Sequence, residues 1–187
     1  MTILSEDRRL ARLRLVDEHI RRENEHDLDA IVETFGATAR YQDQAWDEQH
    51  EGHHGVRTFY ADMLHALPDL NIAVQQRYFA EEAIVLEVII SGHHSGSWRG
   101  LPATGRYIEF PLCGIFTFDD EDRLAGERIY YDRATVLRQL GMFHEPQSGM
   151  GRLTGVLAHP VTVARIVARQ FRGLAARPSK SEGLTRS

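Results

Sequence analysis

Apolar residues recur every three or four positions through the first third of the chain, a spacing typical of amphipathic helices. This spacing predicts helices over residues 5–25, 27–35 and 55–67. Between the second and third helices, the pattern predicts a short strand at residues 38–43 and a polar loop at residues 44–53. The first third of the chain is therefore expected to be rich in helix.

After Pro68, the helical spacing gives way to the alternation that is typical of strands. Residues 70–74 alternate between apolar and polar side chains, and residues 83–90 are almost continuously apolar and β-branched. Two further strands are predicted at residues 106–118 and 123–132. The continuous run favours a strand that is covered on both faces.

A helix-rich segment followed by a meander of strands indicates an α+β fold rather than a parallel sheet. Pro111 lies inside the longest strand and predicts a bulge or an edge position there, because proline removes a ladder donor. A short closing helix is predicted at residues 134–140. We expect a strongly curved, mixed or antiparallel sheet whose N-terminal helices enclose an apolar pocket for a small-molecule ligand.

The chain is expected to divide into an α+β domain over residues 1–142 and a tail over residues 143–187. Residues 143–157 resemble an irregular linker, and residues 160–171 have the spacing of an amphipathic tail helix. Residues 150–187 carry seven Lys/Arg and one Glu, which leaves −11 for the remainder of a chain whose net charge is −5. Docking of the tail helix on the acidic body is favoured over membrane contact.

Composition narrows the class of protein. The chain has 187 residues and one cysteine, so a single folded domain without an internal disulfide is expected. No apolar stretch reaches the roughly 20 residues of a membrane span. These features favour a cytoplasmic protein, and the acidic body argues against a nucleic-acid partner.

The segment from Ser91 to Arg106, SGHHSGSWRGLPATGR, is the most specific motif in the chain. It resembles the signature of SnoaL-like polyketide cyclases and their ester-cyclase relatives. The stretches Tyr131–Arg133 and Leu137–Gly141 are similar to the closing strand and helix of that family. The resemblance covers about residues 10–141 and implies the cone of the nuclear-transport-factor-two-like superfamily. That fold hosts many chemistries, so it does not settle function.

Cyclases of this family use an aspartate on the last strand and a histidine on the preceding strand. Alignment on residues 137–141 places Ile129 at the aspartate position and Gly114 at or near the histidine position. Neither residue can transfer a proton, so the usual aldol mechanism is not expected here. Both positions are expected to line the ligand pocket.

Glu127 and Tyr131 share the parity of Ile129 along the last strand, so all three are expected to face the pocket. A carboxylate in an apolar pocket has a raised pKa, as a general base near neutral pH requires. Glu127 is therefore the leading candidate for catalysis. Alternatively, Glu127 lies at the solvent-exposed end of the strand and only forms an ion pair with an arginine.

Two further residues are candidates for catalysis, each with a structural alternative. His94 is the histidine that the motif marks, and it either shuttles a proton or is a hydrogen-bonded structural residue. Asp132 follows the last strand and directly precedes the closing helix. Helix capping therefore explains it as well as catalysis does.

Aromatic residues and a histidine are the candidates for ligand binding at the pocket mouth, where flat rings stack on a flat substrate. The candidates are Tyr41, Trp46, His53 and Trp98. No phosphate loop, nucleophile elbow or dinucleotide fingerprint occurs, so no cofactor is expected. Zinc sites use closely spaced histidines such as those at residues 50–54 and 93–94, but the chain has no His-Glu-x-x-His helix and no cysteine pair, so no metal is expected.

Two functional hypotheses follow. In the first, the protein is a cofactor-free isomerase, dehydratase or cyclase acting on a polyketide-like or polycyclic compound. In the second, it is a ligand-binding or accessory protein that lost the catalytic aspartate at Ile129. A homodimer is also expected, because residues 83–90 are too apolar for a sheet with one solvated face.

Overall fold

A computed structural model describes residues 4–145, 147–158, 160, 161 and 165. The chain divides into two compact units, Met1–Met142 and Phe143–Ser187. Among the described residues, the first unit contains four helices and six strands, and the second contains one helix. No helix within the described residues is long and apolar enough to cross a membrane.

Three helices precede or interrupt the first strands, and a fourth closes the first unit. Ser5 and Asp27 cap the first two helices, because each side chain accepts a hydrogen bond from a backbone N–H in the first turn. The helices are α1 (Glu6–Asn24), α2 (Leu28–Glu33), α3 (Gly52–Ala66) and α4 (Arg133–Gln139).

Six strands form a single sheet in the order β2-β1-β6-β5-β4-β3. All neighbouring pairs are antiparallel except β1 and β6, which are parallel. The predicted α+β fold with a curved, mostly antiparallel sheet is confirmed. The strands are β1 (Arg40–Asp43), β2 (Glu48–Glu51), β3 (Asn71–Phe79), β4 (Ala83–His93), β5 (Tyr107–Phe118) and β6 (Leu124–Tyr131).

The inner face of the sheet packs against α1, α2 and α3 and forms one continuous core. Alternate residues of β4, namely Ile84, Leu86, Val88 and Ile90, are buried on this face. The residues between them are half-buried or exposed, although several are apolar. Strand parity therefore decides which side chains reach the core.

The predicted polar loop at residues 44–53 is wrong in part, because Glu48–Glu51 forms the edge strand β2. Its four residues are polar, and none is fully buried. They pair with β1 through the backbone, from Arg40 opposite Glu51 to Asp43 opposite Glu48. A strand without apolar side chains leaves no hydrophobic signal in the sequence.

Pro111 causes no bulge, because the β4–β5 ladder runs without a shift from Ala83 to His93. β6 ends with Tyr131 opposite Leu112, so β5 has no neighbouring strand beside Pro111 on that side. The missing N–H therefore costs no ladder bond, which is the edge position that the sequence predicted as the alternative.

The second unit contains the helix α5 (Gly149–Ala158), where the sequence predicted an irregular linker. Ser148 explains the helix start, because its Oγ accepts a hydrogen bond from the Gly151 N–H at 2.9 Å. Each glycine costs a helix only about 1 kcal/mol relative to alanine. The predicted tail helix at residues 160–171 lies mostly outside the described residues.

Candidate functional site

An apolar cavity lies between the inner face of the sheet and the helices α1 and α3. Aliphatic and aromatic side chains form most of its wall, and Glu23, Asp43 and Glu127 are the acidic residues in that wall. Its volume is about 50 Å³. It therefore holds a few water molecules as it stands, and a larger ligand requires its wall to move.

Four polar side chains from three elements meet at the inner end of the cavity, and we call them the buried cluster. They are His19 and Glu23 on α1, Tyr60 on α3 and Glu127 on β6, and each is at most 5% exposed. His19 Nε2 lies 2.9 Å from the Tyr60 hydroxyl, 3.4 Å from Glu127 Oε2 and 3.8 Å from Glu23 Oε2.

The donors and acceptors in the cluster determine where its protons lie. The Thr34 hydroxyl donates to the Ile31 carbonyl, so it accepts from His19 Nδ1–H at 2.8 Å. The Tyr60 hydroxyl donates to Glu127 Oε2 at 2.6 Å, so its oxygen accepts from His19 Nε2–H. In this arrangement, His19 is doubly protonated and Glu127 is a carboxylate.

The same bonds provide a path for one proton. If Tyr60 instead donates to His19 Nε2, Glu127 must carry the proton and donate to the Tyr60 oxygen. Both arrangements contain the same number of protons. Tyr60 therefore links His19 and Glu127 as a relay across which a proton moves without leaving the protein interior.

Burial raises the pKa of Glu23 to about 8, although the charge of His19 opposes this shift. Burial alone would lower the pKa of His19, but the neighbouring carboxyl groups raise it overall. Glu127 does so at neutral pH, and Glu23 adds to the effect only when it is ionised. At neutral pH, Glu23 is therefore protonated, and the cluster of imidazolium, carboxylate and carboxylic acid has no net charge. A neutral cluster is the form that an apolar interior tolerates.

Glu23 and Glu127 both reach the cavity, so it presents a carboxylic acid and a carboxylate to one ligand. Glu23 Oε2 has no hydrogen-bond partner among the described residues. A carboxylate beside an apolar ligand accepts a proton from carbon, and a neutral acid stabilises the charge that then develops on oxygen. The geometry therefore suits acid/base chemistry.

Asp43 lies at the other polar end of the cavity and is 1% exposed. Its Oδ1 accepts hydrogen bonds from the backbone N–H groups of Ala45 and Trp46. Its Oδ2 accepts from Arg99 Nη2 at 2.8 Å and from the Tyr131 hydroxyl at 3.0 Å. Four donors face this carboxylate, which is the pattern of an ionised aspartate.

A two-residue hairpin, Trp98–Leu101, carries Arg99 to Asp43. Trp98 and Leu101 exchange backbone hydrogen bonds, and the residues between them have positive φ, 50° at Arg99 and 77° at Gly100. Positive φ at both central positions defines a type I′ turn. Arg99 lies over the rings of Trp46 and Trp98 at 4.9 and 4.8 Å, which fixes the hairpin against β1.

Six of the predicted site residues line the cavity: Tyr41, Trp98, Gly114, Glu127, Ile129 and Tyr131. Tyr41 lies in the interior rather than at the mouth, stacked on Phe59 with ring centroids 3.8 Å apart. Gly114 widens the middle of the cavity, because a Cβ there would lie 3.1 Å from the Phe116 ring. Of the three residues predicted to be catalytic, Glu127 lines the cavity, and His94 and Asp132 do not.

The remaining predicted site residues do not line this cavity. His94 is fully buried and accepts the Thr104 N–H at Nδ1, and burial lowers its pKa. Asp132 caps α4 by accepting the Ala134 N–H at 2.9 Å. His53 Nε2 lies 2.9 Å from the Gly36 carbonyl. Trp46 packs edge to face against Trp98, with ring centroids 5.9 Å apart.

Sequence reasoning missed His19, Glu23, Tyr60 and Asp43. His19 and Glu23 occupy the stripe of α1 that contains Val16 and Ile20. Polar residues four apart on an otherwise apolar face were the available signal. Their convergence with Glu127 depends on the packing of helix against sheet, which one sequence does not reveal.

Comparison with known proteins places the chain in a family. The model of the SnoaL-like polyketide cyclase family matches residues 11–140, which is more than half of the chain. The protein therefore belongs to the SnoaL-like polyketide cyclase family. No curated protein matches the sequence.

Solved structures share the fold at low sequence identity. A candidate SnoaL-like polyketide cyclase from Jannaschia sp. CCS1 is 18% identical, with a TM-score of 0.64 over 71% of this chain and 93% of that one. AclR, a candidate hydroxylase from Streptomyces galilaeus, is 20% identical, with a TM-score of 0.63 over 72% and 98%. IdmH, a candidate polyketide cyclase from Streptomyces antibioticus, is 20% identical, with a TM-score of 0.59 over 70% and 98%.

Proposed function

We propose that the protein is a cofactor-free enzyme that moves a proton at a carbon atom next to a carbonyl group of a small, mainly apolar compound. The observation that carries this proposal is that two buried carboxyl groups, Glu127 and Glu23, face one apolar cavity beside His19. An isomerase, a dehydratase or a cyclase acting on a polyketide-like or polycyclic substrate uses such a step.

Glu127 is the proposed base. Tyr60 donates to one of its oxygens at 2.6 Å, and His19 lies 3.4 Å away. Because both ring nitrogens of His19 already carry protons in this arrangement, the proton taken from the substrate stays on Glu127 until it returns to carbon or exchanges with solvent. Glu23 is the proposed acid, because its protonated side chain faces the same cavity. An enolate that forms beside Glu127 is stabilised by a hydrogen bond from Glu23.

The proposed mechanism differs from the usual one of the family in its residues. Ile129 and Gly114 occupy the positions expected for the acid/base aspartate and its histidine, and both line the cavity as inert groups. The proposed acid and base lie elsewhere, on α1 and two residues before Ile129 on β6. We therefore expect no aldol cyclisation of the usual kind.

Exchange of carbon-bound protons with solvent tests the proposal without knowledge of the natural substrate. In D₂O, the wild-type protein is expected to accelerate loss of the α-proton signal of 2-tetralone, measured by NMR. Glu109→Gln is the matched control, because Glu109 is exposed on the outer face of β5 and should leave the rate unchanged. The family's cyclases and the similar cyclase folds make a ketone the natural first probe.

His19, Glu23 and Glu127 also offer ligand atoms within 4.8 Å of one another, close enough for a bound cation. The exchange is therefore measured with and without EDTA, and the proposal expects equal rates. Activity that EDTA abolishes would contradict a cofactor-free enzyme.

A non-catalytic binding protein is the second candidate, and Ile129 is the observation that favours it. Such a protein would bind apolar ketones in the cavity without exchanging their protons. Binding that saturates while exchange stays at the buffer rate would replace the enzyme proposal with this one.

We also propose a homodimer through the outer face of the sheet, and a cytoplasmic location. The outward side chains of β4, β5 and β6 form adjacent apolar pairs, with Val85 opposite Ile115, Ile89 opposite Pro111 and Cys113 opposite Tyr130. Tyr130 is 42% exposed. Glu87 lies between Val85 and Ile89 on this face, opposite Cys113, so the apolar pairs flank one charge. Apolar pairs across neighbouring strands are typical of a surface that a second copy covers.

Charge placed on this patch is expected to separate the dimer. Val85→Lys should convert a dimer into a monomer at micromolar concentration, because two copies of the new charge would meet in an apolar interface. Sedimentation equilibrium measures the mass of the protein in solution. Thr58→Lys, at an exposed position of α3, is the control. A wild-type protein that sediments as a monomer would refute the dimer.

A further inference from the structure

The outer end of the cavity offers a ligand a hydrogen-bond acceptor. The Tyr131 hydroxyl gives its single hydrogen to Asp43 Oδ2, and Asp43 is held in place by Arg99 and by two backbone N–H groups. Because the hydrogen is committed, the Tyr131 oxygen faces the cavity only as an acceptor.

The two polar ends of the cavity are separated along β6. Tyr131 and Glu127 are four residues apart on one face of the strand, so their Cα atoms lie about 13 Å apart. Ile129 lies between them, opposite Gly114 on β5. The middle of the cavity is therefore apolar and is widened at one point by the absence of a side chain.

We propose that Tyr131, positioned by Asp43, forms an outer subsite that accepts a hydrogen bond from a hydroxyl group of the ligand. The ligand class is then an elongated, mainly apolar compound with a hydroxyl at one end and the reacting carbon at the other. Its apolar middle lies over Gly114 and Ile129. This inference deepens the proposed function, since it rests on the use of this cavity for ligands.

Binding of two probes to the full-length protein tests the outer subsite. 2-Naphthol and naphthalene differ by one hydroxyl, and fluorescence titration gives both dissociation constants. One neutral hydrogen bond of about 0.5–1.5 kcal/mol corresponds to about a 2- to 12-fold preference for 2-naphthol. Tyr131→Phe should remove this preference while leaving naphthalene binding unchanged.

Matched variants locate the hydroxyl of the probe. Tyr130→Phe makes the same chemical change on the outer face of the sheet and should keep the preference. Glu127→Gln and Glu23→Gln should also keep it if the hydroxyl lies at Tyr131. A preference that survives Tyr131→Phe, or that vanishes instead in either glutamine variant, overturns the outer subsite, and so does failure of 2-naphthol to bind.

The outcome for the subsite is separable from that for catalysis. Proton exchange of 2-tetralone depends on Glu127, and 2-tetralone has no hydroxyl group for Tyr131 to bind. Exchange that persists while the naphthol preference is absent leaves the enzyme proposal standing and removes the subsite. A preference for 2-naphthol that depends on Tyr131, without proton exchange of 2-tetralone, would keep the subsite and remove the enzyme proposal.

Discussion

Glu127→Gln is expected to lower the rate of α-proton exchange about 100- to 10,000-fold, the range that a general base contributes. Glutamine keeps the size and the hydrogen bond with Tyr60 but cannot accept a proton from carbon. NMR measurement in D₂O at saturating 2-tetralone compares the variant with the wild-type protein. Unchanged binding of naphthalene would show that the cavity itself is intact.

The exposed Glu109→Gln variant controls for general effects of a lost carboxylate. An exchange rate in Glu127→Gln within about threefold of the wild-type rate would remove Glu127 as the base, since a general base contributes far more. If Glu23→Gln then abolished exchange, the roles of the two carboxyl groups would have to be interchanged.

The contribution of Glu23 to stability is expected to fall as pH rises from about 4.5 to about 8. Its pKa is about 8 in the folded protein against an ordinary value of 4.5, so the folded state binds a proton that the unfolded state releases. The contribution is complete below pH 4.5 and is lost as pH rises through about 8. The raised pKa of His19 acts in the same direction.

Glu23→Gln should flatten this dependence, because glutamine stays neutral beside His19, Tyr60 and Glu127, the polar groups that face it. At pH 9, the variant should be more stable than the wild-type protein by a few kcal/mol, since a tenfold change in proton affinity is worth about 1.4 kcal/mol. Urea unfolding at several pH values measures the difference. Parallel slopes for both proteins would contradict a protonated Glu23.

Much of the fold followed from hydrophobic spacing. The change of period after Pro68 separated the helices from the meander, and the structure has the predicted strands within a few residues. β2 and α5 were missed for opposite reasons. β2 has no apolar residue to reveal it, and the glycines of α5 resemble a linker although Ser148 starts a helix there.

The sequence predicted only part of the site. Parity along β6 indicated that Glu127, Ile129 and Tyr131 share a face, because alternation is a local property of strands. The protonation of Glu127 depends on Tyr60 and His19, which lie 67 and 108 residues away along the chain. Such contacts are set by tertiary packing, and a single sequence contains no periodicity that encodes them.

The type I′ hairpin has a consequence for the speed of ligand exchange. Trp98 lines both the cavity and a neighbouring surface groove. Its indole therefore lies between a bound ligand and solvent. A two-residue turn with both φ angles positive is stiff, and Arg99 ties it to Asp43 and Glu48. The hairpin must therefore move as one piece when a ligand enters. We expect ligand association to require the rupture of these ion pairs and therefore to be slower than diffusion.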